Sequence, residues 1–69
     1  MGREVWKKQL GRNIGLYRKK RGLTQEQAAE LYDCSLRAWQ RWERGVNMEI
    51  VSLIKIARIV AVKPSKLLE

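Results

Sequence analysis

The 69 residues carry fifteen Lys and Arg against seven Asp and Glu, with no His and one Cys, for a formal net charge of +8. A chain this short forms one domain, residues 1–69, near the lower size limit for a core without disulfides or metal. One thiol and no imidazole exclude an intramolecular disulfide and a structural zinc site, and they remove most routes to nucleophilic or general acid–base catalysis. The expectation is a protein that is not an enzyme and takes no cofactor. The charge asks for a polyanionic partner and is unevenly placed. Residues 1–22 hold eight basic and one acidic side chain, residues 23–45 three and four, and residues 46–69 four and two. No apolar run is long enough to cross a bilayer, because Ser52, Lys55 and Arg58 interrupt the most hydrophobic segment, and nothing reads as a signal peptide. A cytoplasmic protein without membrane association is therefore expected.

Trp6, Leu10, Ile14 and Tyr17 recur at spacings of three and four, which predicts an amphipathic helix from residue 4 to about residue 20. Gly11 and Gly15 form a G-x-x-x-G inside it, and in a charged helix that spacing means close packing or simple tolerance rather than a membrane dimer motif. Arg18, Lys19, Lys20 and Arg21 place cations at the negative end of the helix dipole, and Gly22 ends the helix.

Thr24 followed three residues later by Gln27 is a capping box that opens a second helix, with Ala28, Ala29, Leu31 and Tyr32 as its inward side. Asp33, Cys34 and Ser35 break the pattern, and Ser35 can cap a third helix ending at Gly45. Two short helices joined by a three- or four-residue turn make a helix-turn-helix over about residues 24–45. A fourth helix is expected from about Asn47 to Val60 or Ala61, with Leu53, Ile56, Ala57 and Val60 as its apolar stripe. Pro64 fits the first turn of a short fifth helix whose Leu67 and Leu68 pack back on the domain. The fold class is all-α, with about five short helices.

The third helix, within "SLRAWQRWERG", holds the most informative pattern. Trp39 and Trp42 lie three apart on one face, while Leu36, Arg37, Gln40, Arg41 and Arg44 line the other. Rings on the inward face supply the apolar area that a small domain needs most. The outward face offers residues suited to the major groove: arginine for guanine, glutamine for adenine, and Leu36 for a thymine methyl. A solvated helix face is the bland alternative for any one of these residues, and five together capped by Ser35 shift the balance toward base reading. Exposed tryptophans would instead suit stacking on single strands.

Leu23-Thr24-Gln25-Glu26 through Ala29, then Ser35, then Arg41-Trp42-Glu43-Arg44-Gly45, resembles the helix-turn-helix of the phage repressor/Cro-type DNA-binding family. Leu10-Gly11 with Ile14 and Tyr17-Arg18 resembles that family's first helix, and Lys55-Ile56-Ala57-Arg58 through Pro64-Ser65-Lys66-Leu67-Leu68 its last two. The resemblance implies a compact five-helix, lambda-repressor-like domain that binds double-stranded operator DNA, usually as a homodimer. It places Gln25 on a phosphate, puts Leu36, Arg37 and Arg41 at base-reading positions with Gln40 beside them, and sets Arg44 near phosphate. It also implies a partly buried, structural ion pair between Arg18 and Glu43.

Some positions depart from the family pattern. Asp33 and Ala61 stand where glycine is usual, and Trp39 replaces a smaller aliphatic. Cys34 takes the place of a small buried apolar residue. Val51 and Ile59 are apolar where polar or small residues are usual, which means either a partner surface or a more deeply buried helix. The leading expectation is a sequence-specific, repressor-like transcriptional regulator. The alternative is an antitoxin's DNA-binding half or an adaptor that holds a protein partner through Val51, Ile59 or Trp6.

Overall fold

The computed structural model describes residues 5–46 and 48–69, and of Val5 only the backbone. Among these residues the structure is entirely helical: α1 Val5–Lys20, α2 Gln25–Tyr32, α3 Leu36–Glu43, α4 Ile50–Ile59 and α5 Pro64–Leu67. Glu4 and Asn47, the expected first residues of two helices, lie outside the described residues.

The local signals act as the sequence suggests. Thr24 Oγ1 accepts from the Gln27 amide at 3.0 Å and Gln27 Oε1 accepts from the Thr24 amide at 2.8 Å, which closes the capping box at the start of α2. Ser35 Oγ accepts from the Ala38 amide at 3.1 Å and starts α3. Between them Asp33 takes the left-handed conformation, φ 70° and ψ 51°, and its amide bonds back to α2. A short side chain tolerates that geometry better than most, which is how the turn forms without glycine. Ala61 is also left-handed, φ 63°, where α4 stops.

The core joins Leu10 and Ile14 of α1, Ala28 and Ala29 of α2 and Trp39 of α3. Leu53, Ile56, Ala57, Ile59 and the adjoining Val60 from α4, with Leu67 of α5, complete it. Trp39 has no exposed surface, and burial of an aromatic that size contributes on the order of 5 kcal/mol before entropy is charged. Trp42 is half-buried, packed on Tyr32 with ring centroids 4.6 Å apart. Trp39 meets both rings edge-on, at 6.5 Å and 6.0 Å. Asn13 is the buried polar tie between the two ends of the chain: its Nδ2 donates to the Leu67 carbonyl at 2.9 Å.

Four expectations need correction. Helix α4 begins at Ile50 rather than near Asn47, with Glu49 as an N-cap whose side chain makes no capping bond. Leu31 is 55% exposed and Leu68 57%, so neither packs inward. Helix α2 is only eight residues long, and its contact with the core is carried by the two alanines and Tyr32. Leu67 alone fills the site against α1. Cys34 is half-buried rather than buried.

The glycines of α1 have a packing role. A Cβ on Gly11 would lie 2.6 Å from both the Glu43 carbonyl oxygen and the Gly45 amide, so α1 and the end of α3 touch backbone to backbone. Gly45, at φ +78°, meets the Lys7 carbonyl from the other side. The close-packing reading of the G-x-x-x-G is therefore the correct one.

Candidate nucleic-acid interface

Helix α3 buries Trp39 and turns Leu36, Arg37 and Arg41 to solvent, with Arg44 exposed at its C-cap. Gln40 is half-buried on the same side as Leu36, and the two line one open groove with Gln25 and Thr24. Ser35 is exposed at the N-terminus and its side chain is committed to the cap. The structure thus gathers Leu36, Arg37, Gln40, Arg41 and Arg44 on or beside one face. Leu36 is 38% exposed, enough to touch a ligand while still resting on its own helix.

Behind that face sits a carboxylate. Glu43 Oε2 accepts from Arg18 Nε at 2.5 Å and from Trp39 Nε1 at 2.5 Å, while Oε1 accepts from Gln25 Nε2 at 3.0 Å and from Arg18 Nη2 at 3.3 Å. A carboxylate has about four acceptor sites, and here all are taken. The side chains of Arg18 and Glu43 are 9% and 12% exposed. Arg18 is itself held by a third bond, from Nη1 to the Leu23 carbonyl at 2.8 Å. The expected ion pair is present and carries more than the pairing implied, because it joins α1, the α1–α2 turn, α2 and α3.

Gln25, expected on a phosphate, has its side chain occupied within the protein. Besides donating to Glu43, it accepts from Gln40 Nε2 at 3.2 Å. Its place in the first turn of α2 leaves one amide N–H and the positive helix end for an anion. Gln25, Gln40, Glu43 and Arg44 line a second open, polar groove at this point.

Sequence reasoning missed two members of this assembly. Trp39 and Glu43 are four apart on one helix, so their bond was within reach of spacing alone. The Gln25–Glu43 bond spans 18 residues, and no local signal marks it.

The tryptophans of α3 are not a stacking platform for exposed bases. Trp39 is enclosed, and Trp42 is covered by Tyr32. Lys55 Nζ lies 4.3 Å from the Tyr32 ring centroid and caps this aromatic group from outside. Burial pushes the Cys34 thiol above its usual range, with nearby Lys55 opposing the rise only in part. A thiol so shifted is a poor nucleophile. Among the described residues no cluster of metal-ligating side chains exists, and no helix is long and apolar enough to cross a membrane.

The choice left open for Val51 and Ile59 divides between them. Ile59 is 8% exposed and belongs to the core, whereas Val51 is 77% exposed. Val51 has company: Ile50 at 71% and Ile54 at 44% share the outer face of α4. Trp6, Ile50 and Leu68 line an apolar groove of about 220 Å³ beside it.

Comparison with known proteins agrees with this architecture. The Helix-turn-helix domain family matches residues 9–65. The chain is similar to the restriction-modification controller protein C.AhdI from Aeromonas hydrophila, at 27% identity and a TM-score of 0.81, over 88% of this chain and 94% of that one. It is also similar to an HTH_3 family transcriptional regulator from Vibrio cholerae, at 30% identity and a TM-score of 0.80, over 91% of this chain. That regulator is longer, and the chain spans 36% of it. No curated protein sequence matches.

Proposed function

Because this chain belongs to the Cro/C1-type helix-turn-helix family of DNA-binding transcription regulators, we propose that it reads duplex DNA in sequence-specific fashion with α3 in the major groove. The observation that carries this reading is the division of α3. One side is pinned by an enclosed tryptophan and a saturated carboxylate, and the other presents Leu36, Arg37, Gln40 and Arg41. Arg37 and Arg41 pair with guanine edges, Leu36 meets a thymine methyl and Gln40 an adenine. The amide end of α2 at Gln25, together with Arg44, holds phosphates, and Ser35 keeps the start of α3 in register. Binding, not catalysis, is the whole of its chemistry, and it acts in the cytoplasm as a repressor-like regulator.

One eight-residue reading helix supplies too little discrimination to find a site among many competitors, so two copies occupy two half-sites about one helical turn apart. The outer face of α4 is where the second copy docks. Ile50, Val51, Ile54, Trp6 and Leu68 together expose on the order of 500 Å², the largest patch a monomer usually tolerates. Two such patches together reach the ~1,000 Å² of a specific interface. The adaptor and antitoxin reading is not favoured, since the similar structures are a controller protein and a transcriptional regulator.

The test is a selection from a randomised duplex pool, run beside Arg37→Ala/Arg41→Ala at one moderate salt concentration. An enriched motif with two-fold symmetry that the variant loses supports the reading. Equal, motif-free binding by both proteins overturns it.

A further inference from the structure

Glu43 has no proton to give, and this dictates the orientation of two amides beyond it. A carboxylate only accepts, so Gln25 must turn its Nε2 toward Glu43, as it does at 3.0 Å. Gln25 Oε1 then faces α3, and Gln40 must meet it with a donor, as its Nε2 does at 3.2 Å. Neither amide is free to flip. Gln40 is left with Oε1 as an acceptor and one remaining N–H as a donor for anything lying against α3.

One acceptor beside one donor complements the major-groove edge of adenine, which offers the N6 amino group and N7. Guanine offers O6 and N7 and asks for two donors. Turned the other way, Gln40 would spend its oxygen on Gln25 and present two N–H groups, a match to guanine. We infer that the Glu43 carboxylate, without touching DNA, makes Gln40 a reader of adenine rather than guanine by setting the polarity of the Gln25–Gln40 pair. Arg18 and Trp39 are positioning residues: three of their N–H groups hold the carboxylate at 2.5 Å, 2.5 Å and 3.3 Å. Trp39 at this position thus has a role beyond filling the core. It supplies the donor that a smaller aliphatic lacks, and it fixes the oxygen that Gln25 does not use.

This inference rests on the DNA-reading function proposed above, and one experiment separates the two. The wild type, Gln40→Ala, Gln25→Ala and Glu43→Gln are each passed through the randomised duplex selection, with helical content checked by circular dichroism. The wild-type motif is expected to contain an adenine position that Gln40→Ala loses. At that position, Gln25→Ala and Glu43→Gln lower the preference for adenine over guanine from about tenfold or more to under about threefold. The guanine positions read by Arg37 and Arg41 keep their preference. Gln25→Ala leaves the Arg18–Glu43 pair intact, so it reports even where Glu43→Gln does not fold. An adenine preference unchanged in Gln25→Ala, or a motif that Gln40→Ala does not alter, overturns the inference while leaving the DNA-reading function standing. A wild type that selects no motif overturns both.

Discussion

The exposed faces of α3 and α4 are opposite in kind. On α3 three polar side chains are tied down: Ser35 caps the helix, Gln40 is bonded to Gln25, and Glu43 takes four donors. On α4 the outer residues Ile50, Val51 and Ile54 are apolar, and the helix starts at Glu49 without a side-chain cap. Under the proposed function this difference separates two tasks. Telling one base from another is helped by donors and acceptors held in a fixed orientation, and for Gln40 the bonds through Gln25 to Glu43 provide that. Holding a second copy needs apolar area, which requires far less preorganisation.

The contrast is sharpest in stability. Arg18→Ala strands the Glu43 carboxylate beneath the reading face and is expected to cost about 3–5 kcal/mol. That approaches the whole stability of a domain this size, and urea denaturation would show a largely unfolded protein. Ile50→Ser or Val51→Ser, on the α4 face, should move the same measurement by less than about 0.5 kcal/mol. Gly11→Ala comes next, because its Cβ would run into the backbone of Glu43 and Gly45. A loss of about 1–3 kcal/mol is expected there.

Ile50→Asp/Val51→Asp breaks the comparison from the other side. The fold should be unchanged, whereas binding to a two-half-site duplex should weaken by about tenfold or more, since a charge on each copy opposes association. Gel-shift titration against a single half-site duplex, where no loss is expected, isolates the cause. Ser35→Ala should cost about 1 kcal/mol through loss of the cap that starts α3. One expected effect is a gain. Ala61→Gly removes a left-handed alanine and should raise stability by up to about 1 kcal/mol, seen as a higher Tm.

Much of this arrangement was legible in the residues because its causes are local. Thr24 with Gln27, Ser35, and the glycines after α1 and α3 mark helix ends through bonds made within a few positions. The spacing of Trp39 and Trp42 set the inward side of α3. The start of α4 was misread because Glu49 makes no capping bond, so no residue announces it. Leu31 and Leu68 were misplaced because periodicity shows a stripe without showing whether anything covers it. The Arg18–Glu43 pair came from family resemblance, but the full set of bonds on Glu43 depends on how α1, α2 and α3 meet. The Asn13 bond to the Leu67 carbonyl spans 54 residues and has no local trace. The outward residues of α3 were grouped correctly on one side because helical geometry assigns them a face. The polarity of the Gln25–Gln40 pair was out of reach, because it depends on a carboxylate that only the packed structure brings close.

The most direct measurement is the ratio of affinities for the selected duplex and for a random duplex of the same length, at one salt concentration, for the wild type and for Arg37→Ala/Arg41→Ala. A wild-type ratio of about a thousand or more, falling toward one in a variant that keeps its helical content, is the predicted result. A wild-type ratio near one, or a variant that keeps the full ratio, would contradict the assignment of α3 as the reader.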